Sequence, residues 1–369
     1  MKVLQVVADG VPGGGTTNVL ALTEDLLGRS VDVAFCSQRD SYAIEQATAL
    51  GAQVCDGLDF FSGRLNRRIV RELSAVVEQV NPDIVHVHGG RAAFAWTRGG
   101  NQARFPTSLY TVRGYHFYTK PAPLRFLGKR AERHISRSVY KTVHVCEKDR
   151  EVGLQLGFVP DPSRSTVIRN GLRLSDIPQY DGLRDPKNVA VLGRVTHQKY
   201  PELILELAAM LADDGFVFHM IGGGDMEDEI RAQVARENLT NVRMYGHQSR
   251  DDGLKIMSET GTFLLASRYE GLPIAPVEAM AMGLPVVICD VNGCPEVVRD
   301  GIDGRVVPMG DRQGFAAALR AVISEPDKTA QMIESGKTRV VEHFTRDRVV
   351  QQHLELYEQC LNDRGVAVR

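Results

Sequence analysis

The 369-residue sequence lacks several patterns that mark particular classes of protein. None of its six cysteines belongs to a Cys-x-x-Cys pair, so we expect reduced and mostly buried thiols, as in a cytosolic protein. No run of about 18 apolar residues is present, and we therefore expect no transmembrane helix. The apolar stretch that opens the chain is too short for a signal peptide and predicts a buried first strand.

Two nucleotide-binding motifs are also missing. The chain has no Gly-x-Gly-x-x-Gly fingerprint, and its first glycine-rich loop lacks the Gly-Lys-Ser/Thr ending of a Walker P-loop. A nicotinamide-dependent dehydrogenase is therefore disfavoured. The composition, with 43% hydrophobic and 24% charged residues, is that of a globular protein and excludes a disordered or fibrous one. Because domains usually have about 100–200 residues, the length predicts two of similar size.

The net charge of -2 is unevenly distributed. Residues 1–175 have 23 Lys and Arg against 16 Asp and Glu, whereas residues 176–369 have 21 against 30. The positive excess is concentrated in two clusters, which contain Arg64, Arg67, Arg68 and Arg71 in the first, and Arg125, Lys129, Arg130, Arg133, Arg137 and Lys141 in the second.

The second basic cluster has a helical pattern. Leu124, Leu127, Ala131 and Ile135 recur at helical spacing, which predicts an amphipathic helix with a basic polar face. That face is either an ordinary solvated surface over the core or a surface attracted to an anionic membrane. Nucleic acid is a weaker choice, because aromatic residues do not alternate with the cations.

Apolar strand patterns alternate with helical patterns along the chain, which predicts parallel sheets covered on both faces. A segment rich in Gly, Pro and Asp at 170–187 interrupts the alternation and predicts a linker. We expect two doubly wound α/β domains, 1–172 and 173–345, with a final helix at 346–362 in a segment, 346–369, that returns to the first domain. The predicted strands are Val3–Ala8, Val31–Cys36, Asp83–Val87, Ser108–Val112, Thr142–Val145, Val189–Leu192, Val217–Ile221, Val242–Tyr245, Thr262–Leu265 and Pro285–Ile288.

In such sheets ligands bind at the carboxyl ends of the strands, so residues that follow strands are the candidates for chemistry. In the first half, Gly13-Gly14-Gly15 follows a strand and leads into a helix, where an anion site and a plain tight turn are equally compatible with the sequence. His86 and His88 end another strand on the same side, but no Asp or Cys nearby completes a metal-ligand set.

The second half has the more specific pattern. Arg194 and Lys199 follow the first strand of this half, and two cations at a strand-to-helix turn suit a diphosphate. By themselves they are equally compatible with two ordinary surface cations. Gly222-Gly223-Gly224 follows the next strand. Glu270 and Glu278 are eight positions apart, and Glu278 lies in an apolar helix where a carboxylate needs a partner. Acceptance of sugar hydroxyls is one use of such carboxylates, and helix capping or backbone bonding is the alternative.

These residues give the chain a resemblance that extends over nearly all of it. The sequence resembles a family 4 glycosyltransferase of the GT-B fold, a retaining class of nucleotide-sugar enzymes. The resemblance is carried by the early glycine loop, Thr-Val-Arg-Gly-Tyr-His-Phe at 111–117, Val-Ile-Arg-Asn-Gly-Leu at 167–172, Gly-Arg-x4-Lys at 193–199, Glu-Gly-Leu-Pro-x4-Glu-Ala-Met-Ala at 270–281, Gly-Leu-Pro-Val-Val at 283–287 and Gly-Cys-Pro-Glu-Val-Val at 293–298.

The resemblance implies roles for the matching positions. Arg194 and Lys199 would hold the donor diphosphate, and Glu270 would contact donor-sugar hydroxyls with the backbone of Gly271 and Leu272 nearby. The remaining implied contacts are Glu278 with the ribose, Gly246 and His247 with the base, and Gly14 and Gly15 with the cleft near the diphosphate.

One position departs from the family pattern. Relatives have His where this chain has Arg113, and that His commonly faces the acceptor or the reacting centre. Arg113 would instead bind an acceptor phosphate, or His116 would take over the role.

The implied reaction is transfer of a hexosyl group with retained anomeric configuration, in which the leaving phosphate accepts the acceptor proton. The chain has no Asp-x-Asp motif, and we expect no metal and no cofactor. We favour a UDP-sugar over a GDP-sugar as donor, and a glycan or lipid-linked acceptor in cell-surface polysaccharide biosynthesis. The expected location is cytoplasmic, with peripheral contact at the inner face of the membrane. The alternatives are a nucleotide-sugar 2-epimerase, which needs no acceptor, and a non-catalytic nucleotide-sugar-binding module.

Overall fold

The computed structural model describes residues 1–61, 67–99, 107–115 and 121–365. The chain forms two compact units. Unit 1 comprises Met1–Gly171 together with Arg346–Arg369, and unit 2 comprises Leu172–Thr345. The acceptor and donor roles that the sequence suggests for two domains stay predictions.

Unit 1 contains a parallel sheet, which has seven strands among the described residues, in the order β3-β2-β1-β4-β5-β6-β7. The strands are β1 Lys2–Val7, β2 Asp32–Gln38, β3 Gln53–Leu58, β4 Ile84–His88, β5 Ser108–Val112, β6 Lys141–His144 and β7 Ser165–Val167. The helices of this unit are Gly14–Leu27, Tyr42–Ala49, Arg67–Val80, Gly90–Arg98, Ala122–Ser138, Glu147–Gln155 and Arg346–Asn362, with a 3-10 turn at Pro162–Arg164.

Unit 2 repeats this plan with a parallel sheet of six strands in the order β10-β9-β8-β11-β12-β13. The strands are β8 Asn188–Leu192, β9 Val217–Ile221, β10 Val242–Gly246, β11 Thr262–Leu265, β12 Val286–Asp290 and β13 Arg305–Pro308. The helices are Pro201–Met210, Glu227–Arg236, Arg250–Ser258, Ala275–Ala281, Cys294–Val297, Arg312–Ser324 and Pro326–His343, with 3-10 turns at Leu174–Asp176 and His197–Lys199.

Helices cover both faces of the sheet in unit 1, so its central strands β4 and β5 are buried along their whole length. Alternate side chains of one strand join different cores, as the two-residue period of a strand requires. Leu4 and Val6 pack with Trp96 on one face, whereas Val3 packs with Leu26 and the C-terminal helix on the other. The C-terminal helix therefore completes the core that the N-terminal strand begins.

The strand order reverses between β1 and β4 in unit 1 and between β8 and β11 in unit 2. At such a reversal the two connections leave in opposite directions and open a crevice at the carboxyl ends of the strands. Gly13–Gly15 follows β1, and His88 ends β4. In unit 2, Gly193–Lys199 follows β8 and Ser267–Glu270 follows β11. The candidate residues of each half thus lie at the reversal points.

The ten predicted strands, the final helix and the α/β class are confirmed. The strands β3, β7 and β13 were not predicted from the sequence, and all three lie at sheet edges. An edge strand needs no continuous apolar run: β3 contains Gly57, β7 has three residues, and β13 ends at Pro308. The cysteines are free, and all are buried except the half-buried Cys55.

The expected apolar face of helix Ala122–Ser138 covers the core only near its end. Ile135 is buried, but Leu124, Phe126 and Leu127 are 51%, 61% and 59% exposed. The helical pattern is confirmed, whereas the apolar residues of its first turns do not pack against the core. No helix among the described residues combines the length and apolar character needed to cross a membrane.

Arg346 fixes the start of the C-terminal helix to helix Gly14–Leu27. Its guanidinium donates to both oxygens of Asp25, to Glu24 Oε2 at 2.7 Å and to the carbonyl of Ala21. The side chain is 11% exposed, and its two carboxylate partners raise its pKa against the effect of burial. A nearby pair at 2.8 Å joins Arg29, in the turn after helix Gly14–Leu27, to Asp347 of the C-terminal helix but is largely exposed.

We predict that Arg346→Ala lowers the free energy of unfolding of unit 1 by about 2–3 kcal/mol, because charge-assisted hydrogen bonds are lost and two carboxylates lose their partner. Arg29→Ala is the matched control and should change it by less than about 1 kcal/mol, since exposed ion pairs contribute little. Urea unfolding followed by the fluorescence of Trp96, the single tryptophan, reports on unit 1. Equal effects of the two substitutions would contradict the prediction.

Candidate active site

The candidate site of unit 2 is built from two loops that follow adjacent strands. Lys199 ends the turn after β8, and Glu270 lies in the loop after β11. The ammonium of Lys199 donates to Glu270 Oε1 at 2.6 Å, and the hydroxyl of Ser267 donates to the same oxygen at 2.6 Å. The Glu270 side chain is only 8% exposed. The structure thus brings together a cation and a carboxylate that are 71 positions apart.

Backbone bonds hold these two loops together. The amide of Arg268 donates to the carbonyl of Gln198 at 2.8 Å, and the side chain of Gln198 donates to the carbonyl of Tyr269 at 3.0 Å. The Arg268 guanidinium lies 3.6 Å from the centre of the Tyr200 ring and donates to the carbonyl of His197. The positions of Lys199 and Glu270 are therefore set by their backbones as well as by their own ion pair.

Arg194 lies in the same turn and is exposed. Together with Gly193, Lys199 and Ala266 it lines a pocket at the ends of β8 and β11. No carboxylate in the described part of the chain pairs with it. Arg194 therefore presents its planar fork of donors to solvent, which suits an incoming anion.

Glycines allow the backbones after β8 and β9 to approach closely. A Cβ at Gly222 would lie 2.3 Å from the carbonyl oxygen of Gly193, and a Cβ at Gly224 would lie 2.2 Å from that of Val195. The amide of Val195 donates to the carbonyl of Gly223 at 2.9 Å. The three glycines after β9 thus have a structural reason, which the sequence analysis left open.

Gly246 and His247, which the resemblance links to the nucleotide base, lie at the end of β10 next to these glycines. Gly222 and Gly246 form a β-bridge, and a Cβ at Gly223 would lie 3.1 Å from the amide nitrogen of His247. His247 is exposed, whereas Gly246 is buried with φ of 69°. The structure therefore places both residues at the same edge of the sheet as Gly193.

Glu278 lies in the first turn of helix Ala275–Ala281 and is buried. Its Oε1 accepts a hydrogen bond from Arg250 at 2.8 Å. Burial raises the pKa of the Glu278 carboxyl, and the neighbouring Arg250 opposes that shift. The predicted partner of this carboxylate exists, but nothing in the sequence pointed to Arg250, which lies on a different helix.

The segment between the two glutamates is fixed by backbone contacts. Leu272 is buried, and the carbonyl of Gly271 accepts a bond from the amide of Gly293 at 3.1 Å. Ser267 and Gln198 were not predicted from the sequence as partners in this site. The Gln198 contact depends on the pairing of β8 with β11, which a local pattern does not reveal. Ser267 lies only three positions before Glu270, so the local Ser-x-x-Glu spacing is a signal that could have indicated its contact.

In unit 1, Gly14 and Gly15 form the exposed start of helix Gly14–Leu27. No side chain caps this start, and the hydroxyl of Thr16 donates to the carbonyl of Asp9 at 2.9 Å. A Cβ at Gly15 would lie 3.6 Å from Cδ of Arg113. The glycine loop and Arg113 are therefore neighbours. His116, the other residue proposed for the acceptor side, lies outside the described residues.

His86 and His88 lie side by side, with ring centres 4.1 Å apart, and burial lowers the pKa of both. All four ring nitrogens have hydrogen-bond partners, which are Tyr357 and Thr111 for His86, and Gln5 and Arg113 for His88. A metal would need one of these lone pairs. Within the described residues no group of three or more His, Cys, Asp or Glu side chains could hold a metal ion.

Comparisons with known proteins extend over most of the chain. The model of Glycosyltransferase Family 4 matches residues 12–176, and the model of Glycosyl transferases group 1 matches residues 176–339. An Escherichia coli UDP-Gal:alpha-D-GlcNAc-diphosphoundecaprenol alpha-1,3-galactosyltransferase is 24% identical over 74% of this chain and 75% of its own length. Alpha-maltose-1-phosphate synthase of Mycolicibacterium smegmatis is 30% identical over 54% of this chain and 58% of its own.

Solved structures resemble this fold over almost its whole length. The structure of Anabaena Alr3699/HepE in complex with UDP and glucose has a TM-score of 0.84 at 19% identity and covers 97% of this chain and 99% of its own. A glycosyltransferase of Rickettsia africae has a TM-score of 0.80 at 16% identity and covers 98% of each chain. With two consecutive family models that span residues 12–339 and two doubly wound parallel sheets, this chain belongs to glycosyltransferase family 4 and has the GT-B fold.

Proposed function

We propose that this chain transfers a hexosyl group from a nucleotide sugar to a glycan or lipid-linked acceptor in cell-surface polysaccharide biosynthesis, with retention of the anomeric configuration. The observation that carries the proposal is the Lys199–Glu270 ion pair beside Arg194. A departing diphosphate needs fixed cations, and sugar hydroxyls need fixed acceptors. The site provides both at one strand-end edge.

The relatives support the classes of donor and acceptor. The Escherichia coli enzyme is named for a UDP-galactose donor and a lipid-diphosphate-linked acceptor. A Rhizobium meliloti relative, 27% identical over 49% of this chain, is named for lipopolysaccharide core biosynthesis. The Anabaena structure contains UDP and glucose. On this basis we favour a UDP-sugar as the donor and keep a GDP-sugar as the second choice.

In the proposed reaction, the bond between the sugar C1 and the phosphate oxygen breaks, and the acceptor oxygen bonds to C1 on the same face. The acceptor proton passes to the leaving phosphate. Arg194 and Lys199 stabilise the negative charge that develops on the diphosphate. Glu270 orients the Lys199 ammonium through Oε1, and its second oxygen is the proposed acceptor for a donor-sugar hydroxyl, with the backbone of Gly271 and Leu272 alongside.

The nucleotide is proposed to extend from this diphosphate site towards Glu278 and β10. An ionised carboxylate accepts about four hydrogen bonds, so Glu278 can hold Arg250 and still accept two ribose hydroxyls. The exposed imidazole of His247 and the backbone at Gly246 are proposed to border the base. No cofactor is required by this arrangement, and Arg194 and Lys199 supply the charge that a divalent ion supplies in other glycosyltransferases.

We further propose that unit 1 binds the acceptor, with Gly14, Gly15, Arg113 and His116 on its side of the reaction. Helix Ala122–Ser138 is proposed to bring this unit to the cytoplasmic face of a membrane. Its exposed Leu124, Phe126 and Leu127 suit insertion between lipid headgroups. Cations of the same helix, among them Arg130 and Lys129, complement anionic headgroups.

We predict that Lys199→Met lowers kcat/KM about 100-fold, since one charge-stabilising group is lost from the transition state. The assay combines UDP- and GDP-hexoses with polyprenyl-diphosphate-linked sugars and detects products by mass spectrometry. Lys255→Met, which removes an exposed lysine of unit 2, is the control.

The double variant Lys199→Met with Glu270→Gln separates folding from catalysis. It removes the unpaired buried carboxylate, so it should recover the thermal stability lost in Lys199→Met while transfer stays low. Full activity of Lys199→Met would overturn the diphosphate assignment. Donor turnover without any acceptor would instead favour the 2-epimerase, and tight donor binding without any turnover would favour the non-catalytic module.

We predict that transfer persists in excess EDTA, because Arg194 and Lys199 provide two positive charges at the diphosphate. The measurement is the initial rate before and after dialysis against EDTA, with added magnesium or manganese as the comparison. Loss of transfer in EDTA and its return with either ion would refute the proposal of metal-independent catalysis.

We predict that the full chain sediments with vesicles containing phosphatidylglycerol at low salt and is released at high salt, because screening weakens surface charge attraction. Leu124→Ser combined with Phe126→Ser should reduce the bound fraction, whereas Leu183→Ser, at a fully exposed leucine of unit 2, should not. Equal binding to pure phosphatidylcholine vesicles would show that the basic residues are an ordinary solvated surface.

A further inference from the structure

Arg113 is a cation that is desolvated without a carboxylate partner in the described residues. It follows β5 and makes two long hydrogen bonds to neutral groups, to Asn170 Oδ1 at 3.4 Å and to His88 Nδ1 at 3.4 Å. Its Nε is fully buried and donates to no described atom. Burial lowers the pKa of Arg113 to about 10, and no neighbouring acid offsets the shift. An unpaired guanidinium in such a place costs folding free energy.

A chain of hydrogen bonds holds the neutral partner of Arg113 in one orientation. Gln5 Oε1 accepts from His88 Nε2 at 2.6 Å, so the other ring nitrogen of His88 is the acceptor that faces Arg113. Gln5 donates to the hydroxyl of Tyr357, which donates to His86 Nδ1 at 2.7 Å. His86 Nε2 then donates to Thr111. Every side chain in this series of hydrogen bonds is neutral and has a partner. The series therefore orients the Arg113 side chain but supplies no negative charge to pair with it.

The surroundings of Arg113 are suited to an oxyanion. It lines a pocket of unit 1 together with Asn18, Thr111, Asn170 and other residues. Asp25 also lines this pocket, but Arg346 already pairs with it. The uncapped start of helix Gly14–Leu27 is adjacent, with a Cβ at Gly15 placed 3.6 Å from Arg113 Cδ. The free amides and the dipole of a helix start attract the same kind of group as a guanidinium.

We propose that Arg113, with the start of helix Gly14–Leu27, forms a subsite in unit 1 that binds a phosphate group. A phosphate would supply the negative charge that no carboxylate among the described residues supplies to Arg113. Guanidinium and phosphate groups also form bidentate hydrogen bonds. The group comes either from the nucleotide-sugar donor or from a lipid-diphosphate acceptor, the two phosphate-bearing substrates of the proposed function. The identity of the source rests on that function, whereas the phosphate site itself does not.

The alternative for Arg113 is a purely structural role, and it differs in its stability signature. Removal of an arginine with a structural role lowers the melting temperature. Removal of an arginine whose partner is a ligand raises the melting temperature of the free chain, because the substitution removes an unpaired buried charge. Arg113→Gln should therefore raise the melting temperature of the free chain, as measured by Trp96 fluorescence. Arg348→Gln removes an exposed arginine from the same unit and is the control.

The binding experiment uses calorimetry on the full chain with inorganic pyrophosphate, UDP and a short-chain polyprenyl diphosphate. Pyrophosphate is titrated in the Lys199→Met background, which weakens the site of unit 2. Arg113→Gln should weaken pyrophosphate binding about 10- to 100-fold, as expected for lost charge-assisted bonds, Arg113→Lys should weaken it less, and Arg348→Gln should leave it unchanged. This result supports the subsite even if no transfer is ever observed.

The other two ligands identify the source. A weaker affinity for UDP in Arg113→Gln assigns the phosphate to the donor, and a weaker affinity for the polyprenyl diphosphate assigns it to the acceptor. The proposal is overturned if Arg113→Gln binds all three ligands as Arg348→Gln does, if the unaltered chain binds none of them, or if Arg113→Gln lowers the melting temperature without changing any affinity.

Discussion

The side-by-side pairing of β8 and β11 is the constraint on which the site of unit 2 depends. The two strands are neighbours in a parallel sheet, although Lys199 and Glu270 in the loops that follow them are 71 positions apart. Their carboxyl ends therefore reach the same edge, where Lys199 and Glu270 meet at 2.6 Å. A carboxylate as buried as Glu270 is costly without a cation, so the fold and the ion pair require each other.

The two glutamates of the segment after β11 follow one physical rule. Each is buried, and each takes a cation from another part of unit 2, Lys199 for Glu270 and Arg250 for Glu278. At Glu278, Arg250 opposes the rise in pKa that burial causes. In both pairs the cation fixes the direction of one carboxylate oxygen. The second oxygen of each group keeps its capacity to accept a hydroxyl. A nucleotide sugar has hydroxyls on two rings, the ribose and the transferred sugar. Two carboxylates with free acceptor oxygens, Glu270 and Glu278, therefore support the proposed donor.

The central strands of unit 1 carry polar side chains into the interior, and these side chains need hydrogen-bond partners there. Gln5, His86 and Thr111 are all buried, and a single hydrogen-bond chain satisfies them. Tyr357 of the C-terminal helix is a member of that chain, and Arg346 fixes the start of the same helix. The last helix thus supplies both apolar cover and a polar link, which explains why it belongs to the unit that contains the first strand. Arg113 lies at the end of this series of hydrogen bonds and has no carboxylate partner among the described residues. This favours a ligand, and not a protein side chain, as the partner of its charge.

The sequence by itself determined the fold class, the nine inner strands and the edge strand β10, the final helix and the family. Apolar periods, glycine turns and the motifs that contain Arg194, Lys199, Glu270 and Glu278 are local features. It also determined that His86 and His88 lie on one side of a strand, since side chains alternate. It missed the edge strands β3, β7 and β13, which need no continuous apolar run. It predicted the amphipathic pattern of helix Ala122–Ser138 but not that the apolar residues of its first turns are exposed.

Only the tertiary structure decided the partners. Arg250 contacts Glu278 through helix packing. Gln5 and Asn170 lie in the surroundings of Arg113 although they are distant from it in sequence. The physical reason is that hydrogen bonds and ion pairs act over about 3 Å, a distance that the sequence does not encode. Periodicity specifies which face of an element is buried, whereas the order of strands in the sheet specifies which charged side chains form ion pairs.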